Sequence, residues 1–201
     1  MMRALAGVGG GVAVLGLGAG VYVSSMPDVL HCDRTVEIEA TVDQVVPMLI
    51  DHREFVQWSP WSERDPDQET RFSDPSSGVG SWYTWSGDDE VGAGRMEVRS
   101  IADREITVGL EFIEPFPAKA LVTYTLEPVG DTTRVTWAMD QPADFATKMA
   151  MASMDMDAML GADFEYGLER LAAHVGTSVA AMHAEQTDHV APDVPQPALI
   201  K

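Results

Sequence analysis

Near the N-terminus, 20 consecutive residues from Ala4 to Val23 carry no charged side chain. About 20 apolar residues are needed for a helix that crosses the hydrocarbon core of a bilayer. The pattern therefore predicts a single membrane anchor within residues 1–26, and a cleaved secretory signal is the alternative. Arg3 precedes the span and acidic residues from Asp28 onward follow it. The positive-inside rule then predicts that the domain lies on the extracytoplasmic side.

After this segment the pattern changes from alternation to helical spacing. Residues 34–40 alternate between polar and apolar positions, as a half-buried strand does. Thr41 and Gln44 form a capping-box pattern, which predicts that a helix begins there. Its apolar residues fall on one helical face: Val42, Val45, Val46 and Leu49. A second, short helical segment follows, which is rich in aromatic residues and is broken at Pro60.

The middle of the chain has the period of β-strands. Six segments alternate or are rich in β-forming residues, and a short turn sequence separates each from the next. These segments are residues 68–73, 79–86, 94–101, 105–113, 118–127 and 132–140. Because connections this short join antiparallel neighbours, we expect one antiparallel sheet. From residue 145 to residue 183 the apolar positions return to the helical period, with candidate breaks at Gly161 and Gly176.

The order of these elements, β-α-α-β6-α, predicts a fold of the α+β class. A seven-stranded antiparallel sheet with helices on one side curves and buries its concave face against the final helix. The predicted architecture is therefore the helix-grip fold, in a domain that spans residues 30–183. Residues 184–201 contain three prolines and little periodicity. They are predicted to form a disordered tail.

Composition limits the partners and the chemistry of the chain. Its 201 residues suffice for one domain of ordinary size, and 45% of them are hydrophobic. The 13 basic and 32 acidic residues give a formal net charge of −19. This charge repels phosphate backbones, so no nucleic-acid partner is expected. The single cysteine, Cys32, excludes an internal disulfide, and the histidines lack metal-binding spacing, so no metal or other cofactor is predicted.

Five stretches of the chain are similar to sequences of one protein superfamily. They are DHREFVQWSPWSERDPD (51–67), SGVGSWYTWSGDDEVGAGRMEV (77–98), LEFIEPFPAKA (110–120), TYTLEPVGDTTRVTWAMD (123–140) and MDMDAMLGADFEYGLERL (154–171). The similarity extends almost continuously over residues 30–175. This part of the chain resembles bacterial SRPBCC proteins of the polyketide-cyclase/dehydrase-like type, many of which also begin with one hydrophobic segment.

The resemblance implies a START-like, helix-grip fold with a cavity for hydrophobic ligands between the sheet and the long helix. The superfamily includes lipid and sterol carriers, quinone binders, aromatase/cyclases and co-chaperone domains, so the resemblance implies no single activity. The leading hypothesis is binding of a hydrophobic small molecule, such as a lipid, isoprenoid or polyketide-like compound, at the membrane surface. A polyketide aromatase/cyclase or dehydratase-like enzyme and a protein-interaction module with a filled core are the alternatives.

The alternation of the strands indicates which side chains face the predicted cavity. If Tyr83 and Trp85 point inward, then Val79 and Ser81 point inward too. Twelve ligand-binding residues are predicted from three sources, which are this period, the aromatic segment and the methionines of the last helical region. They are Trp58, Trp61, Tyr83, Trp85, Met96, Leu110, Phe112, Tyr124, Trp137, Met139, Met149 and Met156. A filled core is the alternative for the whole set, and a mobile lid is a further alternative for the methionines.

Polar residues near the aromatic segment are the candidates for chemistry. His52 and Arg53 are predicted to lie at the mouth of the pocket, with Glu111 and Glu114 beside it. A cyclase or dehydratase needs a shaped cavity and one or two groups that move protons. The candidates for this role are His52, Tyr83 and Arg95. The sequence contains no nucleophile motif such as GxSxG, so the residues alone do not indicate an enzyme.

Overall fold

The architecture is a curved antiparallel sheet packed against a long C-terminal helix, in a computed structural model that describes residues 22–188. The strands are β1 (Val29–Ile38), β2 (Glu69–Phe72), β3 (Trp82–Ser86), β4 (Ala93–Ala102), β5 (Glu105–Glu114), β6 (Ala118–Val129) and β7 (Thr132–Pro142). The helices that follow β1 are α1 (Val42–Ile50), α2 (His52–Trp58), α3 (Pro60–Arg64), α4 (Phe145–Ser153) and α5 (Met156–Asp188). The strand order is β1-β7-β6-β5-β4-β3-β2, and every neighbouring pair is antiparallel.

This arrangement confirms the predicted α+β helix-grip fold, with two more helices than expected. The capping box at Thr41 and Gln44 is present and begins α1. The aromatic segment divides into α2 and α3. Ser59 is the last residue to bond within α2, through its N–H to the carbonyl of Phe55, and Pro60 occupies the first turn of α3.

The C-terminal helical region is also divided, but not at the glycines. Met154 is extended, with φ −146 and ψ 155, and separates α4 from α5. Gly161 and Gly176 lie inside α5, which continues through both. The predicted breaks at these glycines are therefore wrong. A glycine costs a helix interior about 1 kcal/mol relative to alanine, and burial of one face of α5 against the sheet outweighs that cost.

Two strands, β1 and β3, begin three or more residues away from the predicted start, and the other strand boundaries lie within two residues of the prediction. β1 begins at Val29, five residues before the predicted start at residue 34, because β7 continues to Pro142 and pairs with it throughout. β3 begins at Trp82 instead of residue 79. Val79 is 63% exposed, so its predicted inward position is wrong, whereas Ser81 is buried as predicted.

The exposure of Val79 has a backbone cause. Gly78 and Gly80 have φ angles of 88° and 86°, which other residues rarely adopt. The chain therefore turns on both sides of Val79, and strand alternation does not extend back to it.

The core lies between the concave face of the sheet and α5. The residues of α5 that are buried here recur at helical spacing: Phe164, Leu168, Leu171 and Val175. Phe164 stacks on Trp137 of β7, with ring centroids 4.3 Å apart. Gly167 permits this approach, because a Cβ there would lie 2.8 Å from Cζ3 of Trp137.

Both predicted terminal segments fall mainly outside the described residues. Of the predicted membrane segment 4–23, only the last two residues are described. Within residues 22–188, no helix has the length and apolar character needed to span a bilayer. At the other end α5 continues to Asp188, beyond the predicted end at residue 183. Residues 189–201 of the predicted tail lie outside the described part.

Candidate functional site

A cavity of about 230 Å³ lies between the concave face of the sheet and α5. Strands β3 to β7 form its wall, α2 and α3 form one side, and the first turns of α5 close it. Its lining residues are Phe55, Trp61, Ser62, Gln68, Tyr83, Trp85, Glu90, Val91, Met96, Leu110, Phe112, Glu114, Pro115, Val122, Trp137, Met139, Leu160 and Phe164. Most of these side chains are apolar or aromatic, as in pockets that bind small organic molecules.

Aromatic contacts hold the β3 side of the wall. Tyr83 stacks on Phe72 with ring centroids 5.9 Å apart and lies 5.5 Å from Trp85. Trp85 in turn makes a T-shaped contact with Phe112, with ring centroids 6.5 Å apart. The Trp85 indole N–H donates a 3.2 Å hydrogen bond to the carbonyl of Val91. Because these rings restrain one another, they fix the shape of this side of the cavity.

Trp137 is the centre of the opposite aromatic cluster. Its ring stacks on Phe164 and lies 5.9 Å from Trp61 and 5.6 Å from Tyr124. The residue is 2% exposed. Its Nε1–H is buried and has no hydrogen-bond acceptor among the described residues.

The mouth of the cavity lies at the end of the sheet where the β3–β4 and β5–β6 turns meet. The register brings these turns together, since Ala93 pairs with both Ser86 and Glu114. The polar lining residues are Ser62, Gln68, Glu90 and Glu114. None of the lining residues in the described part is Arg, Lys or His.

The cavity contains eight of the twelve predicted ligand-binding residues. These eight are Trp61, Tyr83, Trp85, Met96, Leu110, Phe112, Trp137 and Met139. Seven of them lie on strands and were identified because period-two alternation determines the face of a strand on which each side chain lies. Trp61 lies on α3 and was identified from the aromatic segment.

The other four predicted residues do not line the cavity. Trp58 is fully buried and donates its indole N–H to the carbonyl of Met48 at 3.0 Å. Tyr124 is buried beside Trp137, its partner in the β6–β7 ladder. Met149 is 47% exposed on α4, and Met156 begins α5 one turn before Leu160, which reaches the cavity instead.

His52 lies in the core rather than at the mouth, where it was predicted. It is 3% exposed and its Nε2 donates to the carbonyl of Ser81 at 3.1 Å. Its ring lies 5.4 Å from that of Tyr83, and His52 does not line the cavity. Burial lowers the pKa of His52, which favours the neutral imidazole. His52 therefore packs against the cavity wall through Tyr83 and does not border the cavity.

Arg95 and Arg53 also lie away from the cavity. Arg95 lies on the opposite face of β4 from Met96, 5.1 Å from the Trp82 ring, and donates to Glu97 at 2.7 Å. Arg53 lies over Phe72, 4.8 Å from its centroid. Arg95 was predicted to transfer protons. Because neighbouring residues of a strand face opposite sides of the sheet, Arg95 faces away from the cavity that Met96 lines.

Of the three predicted proton-transfer residues, Tyr83 alone lines the cavity. Burial raises the pKa of its hydroxyl, which therefore stays protonated and can donate a hydrogen bond. Glu114 lies at the mouth as predicted, whereas Glu111 pairs with Lys119 at 3.2 Å and is absent from the lining.

Residues that the sequence analysis missed come mainly from turns and helices. Glu90 belongs to a hairpin turn, where carboxylates are usually only solvated. Leu160 follows the helical period and Val122 the strand period. The period shows that these side chains face the interior, but it does not show whether they line the cavity or pack in the core. Within residues 22–188, no three His, Cys, Asp or Glu side chains are grouped as a metal site requires.

Comparisons with known proteins agree with this geometry. The sequence pattern of the family described as polyketide cyclase / dehydrase and lipid transport matches residues 30–176. No curated protein matches the chain.

Solved structures with the same fold have low sequence identity to the chain. Protein CV1439 from Chromobacterium violaceum is 15% identical with a TM-score of 0.52, and the match covers 75% of this chain and 98% of that one. A protein from Arthrobacter aurescens is 20% identical with a TM-score of 0.53, over 74% of this chain and 87% of that one. DynU16, from the dynemicin biosynthetic locus, is 19% identical with a TM-score of 0.52, over 76% and 49% respectively. These similarities establish the fold alone.

Proposed function

Because the chain belongs to the polyketide cyclase / dehydrase and lipid transport family, we propose that it binds a hydrophobic small molecule between its sheet and α5. The observation that carries this proposal is the largely apolar cavity of about 230 Å³. An apolar cavity of ~150 Å³ takes up one benzene molecule. The pocket therefore suits a ligand of about one or two fused rings, and a longer molecule would extend through the mouth.

The cavity itself argues against the filled-core interaction module. Trp85, Trp137 and Met96 would have to fill the interior in that case, and all three instead line open space. Cores are otherwise packed with few voids larger than a water molecule. A void of this size between preformed aromatic walls is expected in a binding protein.

Uptake of a neutral fluorescent probe tests the proposal. N-phenyl-1-naphthylamine should bind the protein with enhanced emission, and native mass spectrometry of the extracted protein should reveal a bound apolar molecule. Leu110→Trp fills the cavity and should abolish both signals. Leu121→Trp is the matched control, because Leu121 is 43% exposed and does not line the cavity. Equal binding by both variants, or none by the unmodified protein, would contradict the proposal.

A cyclase-like enzyme is the second candidate, and Tyr83 is the observation that favours it. A protonated hydroxyl inside an apolar cavity can donate to a ketone oxygen of a folded poly-β-keto chain. The family description includes cyclases and dehydrases, and DynU16 belongs to a biosynthetic locus. Turnover of a short poly-β-keto thioester that is lost in Tyr83→Phe, with probe binding retained, would support an enzyme. Turnover that is unchanged in Tyr83→Phe would exclude this role for the hydroxyl.

We also propose that residues 4–23 hold the domain at a membrane, on its extracytoplasmic side. Val29 pairs with Pro142 at the end of the sheet that carries the mouth, so the chain enters the domain there. Phe116, in the β5–β6 turn, and Phe145, the first residue of α4, are 81% and 65% exposed at this end. This placement supports a mouth that faces the bilayer.

Vesicle flotation tests the membrane proposal. The full chain should float with phosphatidylcholine vesicles, and Leu15→Asp/Leu17→Asp should not. Phe116→Ser/Phe145→Ser should keep flotation and slow the uptake of a vesicle-borne probe. Flotation that is the same with and without the charged pair would contradict anchoring by this segment.

A further inference from the structure

We propose that three methionines around the first turn of α5, Met154, Met156 and Met159, bind one soft monovalent metal ion such as Cu(I) through their thioether sulfurs. The site lies at the break between α4 and α5 and is separate from the cavity, whose lining contains none of the three residues. The inference is therefore independent of the ligand that the cavity binds.

The first observation is the choice of side chains in this segment. Residues 146–159 contain five methionines and no leucine, isoleucine, valine or aromatic residue, so every large apolar side chain there is a thioether. Leucine has a comparable helix propensity and substitutes for methionine in cores at little cost. Neither helix formation nor apolar packing therefore requires sulfur at these positions.

The second observation is the exposure of the methionines. Met154 and Met159 are each 51% exposed, and Met156 is partly buried. In contrast, Met96 and Met139, which line the cavity, are buried. Filling of the core therefore does not account for the methionines at the start of α5, and an ion in solution has access to them.

The third observation is the way α5 begins, which brings the three side chains together. Asp155 is the N-cap residue, since its carboxylate accepts from the Ala158 N–H at 3.0 Å and its carbonyl accepts from the Met159 N–H at 3.1 Å. The residue before an N-cap and the fourth residue after it lie beside each other. These two residues are Met154 and Met159. Met156 lies three residues before Met159, on the same face of the helix.

The charged groups of this region are paired within the protein. Asp157 accepts from Arg34 at 3.1 Å, and Lys148 of α4 donates to Asp28 at 2.5 Å. Both cations are therefore compensated by a carboxylate. The formal net charge of −19 favours the approach of a positive ion to the surface of the protein.

The chemistry of thioether sulfur determines which ion the site selects. Sulfur ligands of this kind suit soft ions such as Cu(I), whereas Mg²⁺ and Ca²⁺ take oxygen ligands. The long, unbranched methionine side chains are flexible, so three sulfurs from one turn of helix are able to converge on one ion. Ag(I) has the charge and the softness of Cu(I) and stays in one oxidation state, which makes it the suitable probe.

Titration of the full chain with Ag(I) in chloride-free buffer tests the site. The methionine methyl groups are labelled with ¹³C, and each resonance is identified by its loss in one methionine-to-leucine variant. The resonances of Met154, Met156 and Met159 should shift together and saturate at one ion per chain. The resonance of Met149, which is 47% exposed on α4 and more than one helical turn before Met154, should stay in place. Mg²⁺ should move none of them.

Leucine variants keep the apolar volume and remove the sulfur. Loss of a group that only supports a metal ligand costs about 10–100-fold in affinity, so Met159→Leu and Met154→Leu should each weaken Ag(I) binding at least about tenfold. Met149→Leu is the matched control and should retain the affinity. Cys32→Ala should retain it as well, because the buried thiol lies outside the proposed site. Competition with bicinchoninate should give the same ranking for Cu(I).

Every other outcome overturns the inference. Equal Ag(I) affinity of Met159→Leu, Met154→Leu and the unmodified chain would show that these sulfurs are not ligands. A shift of the Met149 resonance together with the others would show unselective binding to exposed thioethers. If Ag(I) moves no resonance and Met154→Ser/Met159→Ser reduces flotation with vesicles, the segment contacts lipid instead of a metal ion.

Discussion

The indole ring of Trp85 on β3 lies across the α-carbon of Gly94 on β4. A Cβ built at Gly94 would overlap Cη2 and Cζ2 of that ring and would lie 2.6 Å from the carbonyl oxygen of Glu111. The two residues are also direct partners in the β3–β4 ladder. The position of one pocket wall therefore depends on the absence of a side chain on the neighbouring strand.

Gly94→Ala should displace Trp85 toward the cavity. Overpacking of this kind costs about 1–3 kcal/mol, so the free energy of unfolding in urea should fall by that amount. Binding of N-phenyl-1-naphthylamine should weaken together with stability, because the displaced ring occupies ligand space. A Gly94→Ala protein with unchanged stability and binding would contradict the steric role of this glycine.

Two glycines of α5 should respond to alanine in opposite ways. Nothing lies within 4 Å of a Cβ at Gly176, so Gly176→Ala should stabilise the protein by about 0.5–1 kcal/mol through helix propensity. At Gly161 a Cβ would overlap the Arg34 guanidinium, which hydrogen-bonds to Asp157 and Glu165. Gly161→Ala should therefore lower the melting temperature, and a gain equal to that of Gly176→Ala would refute this packing.

His52 should make the fold sensitive to mild acid. Burial lowers its pKa in the folded state below the ordinary value of 6.5, so the unfolded chain takes up the proton first. The free energy of unfolding should therefore fall as the pH decreases below about 6.5. His52→Gln retains an N–H donor for Ser81 without a titrating group and should remove this dependence.

His31 changes the pH dependence of stability in the opposite direction, so its effect must be measured apart from that of His52. Its hydrogen bonds to Asp140 and then Asp33 raise its pKa, so its contribution is present below pH 6.5 and is lost as the pH rises through the raised value. Urea unfolding between pH 5 and pH 8 in a His31→Asn background isolates the effect of His52. A slope that survives in His31→Asn/His52→Gln would assign the acid sensitivity to other groups.

Cys32 should be unreactive in the native protein. Its side chain is fully buried, and burial raises the pKa of the thiol to about 11. The thiolate is the reactive form, so alkylation by iodoacetamide at pH 8 should be at least about 100-fold slower than in the unfolded chain. Cys32→Ala/Leu121→Cys places a thiol at an exposed position and should react at once in the native state.

The sequence by itself determined the order of the elements and the face on which strand residues lie. Period-two alternation requires Met96 to point inward whenever Arg95 points outward, and it brings Tyr83 and Trp85 to the same side. Helical spacing likewise identified the face of α5 that contains Phe164 and that packs on the sheet. These features are local consequences of backbone geometry, so a single chain segment contains the information.

Only the tertiary structure decided which inward residues border empty space. Tyr124 and Trp137 share the inner face, but Trp137 lines the cavity and Tyr124 does not. Glu90 and Glu114 come from different hairpins and meet at one mouth through strand register. His52 lies in the core because its partner is the carbonyl of Ser81, 29 residues away. Each outcome depends on contacts between segments that are distant in sequence, which local periodicity does not encode.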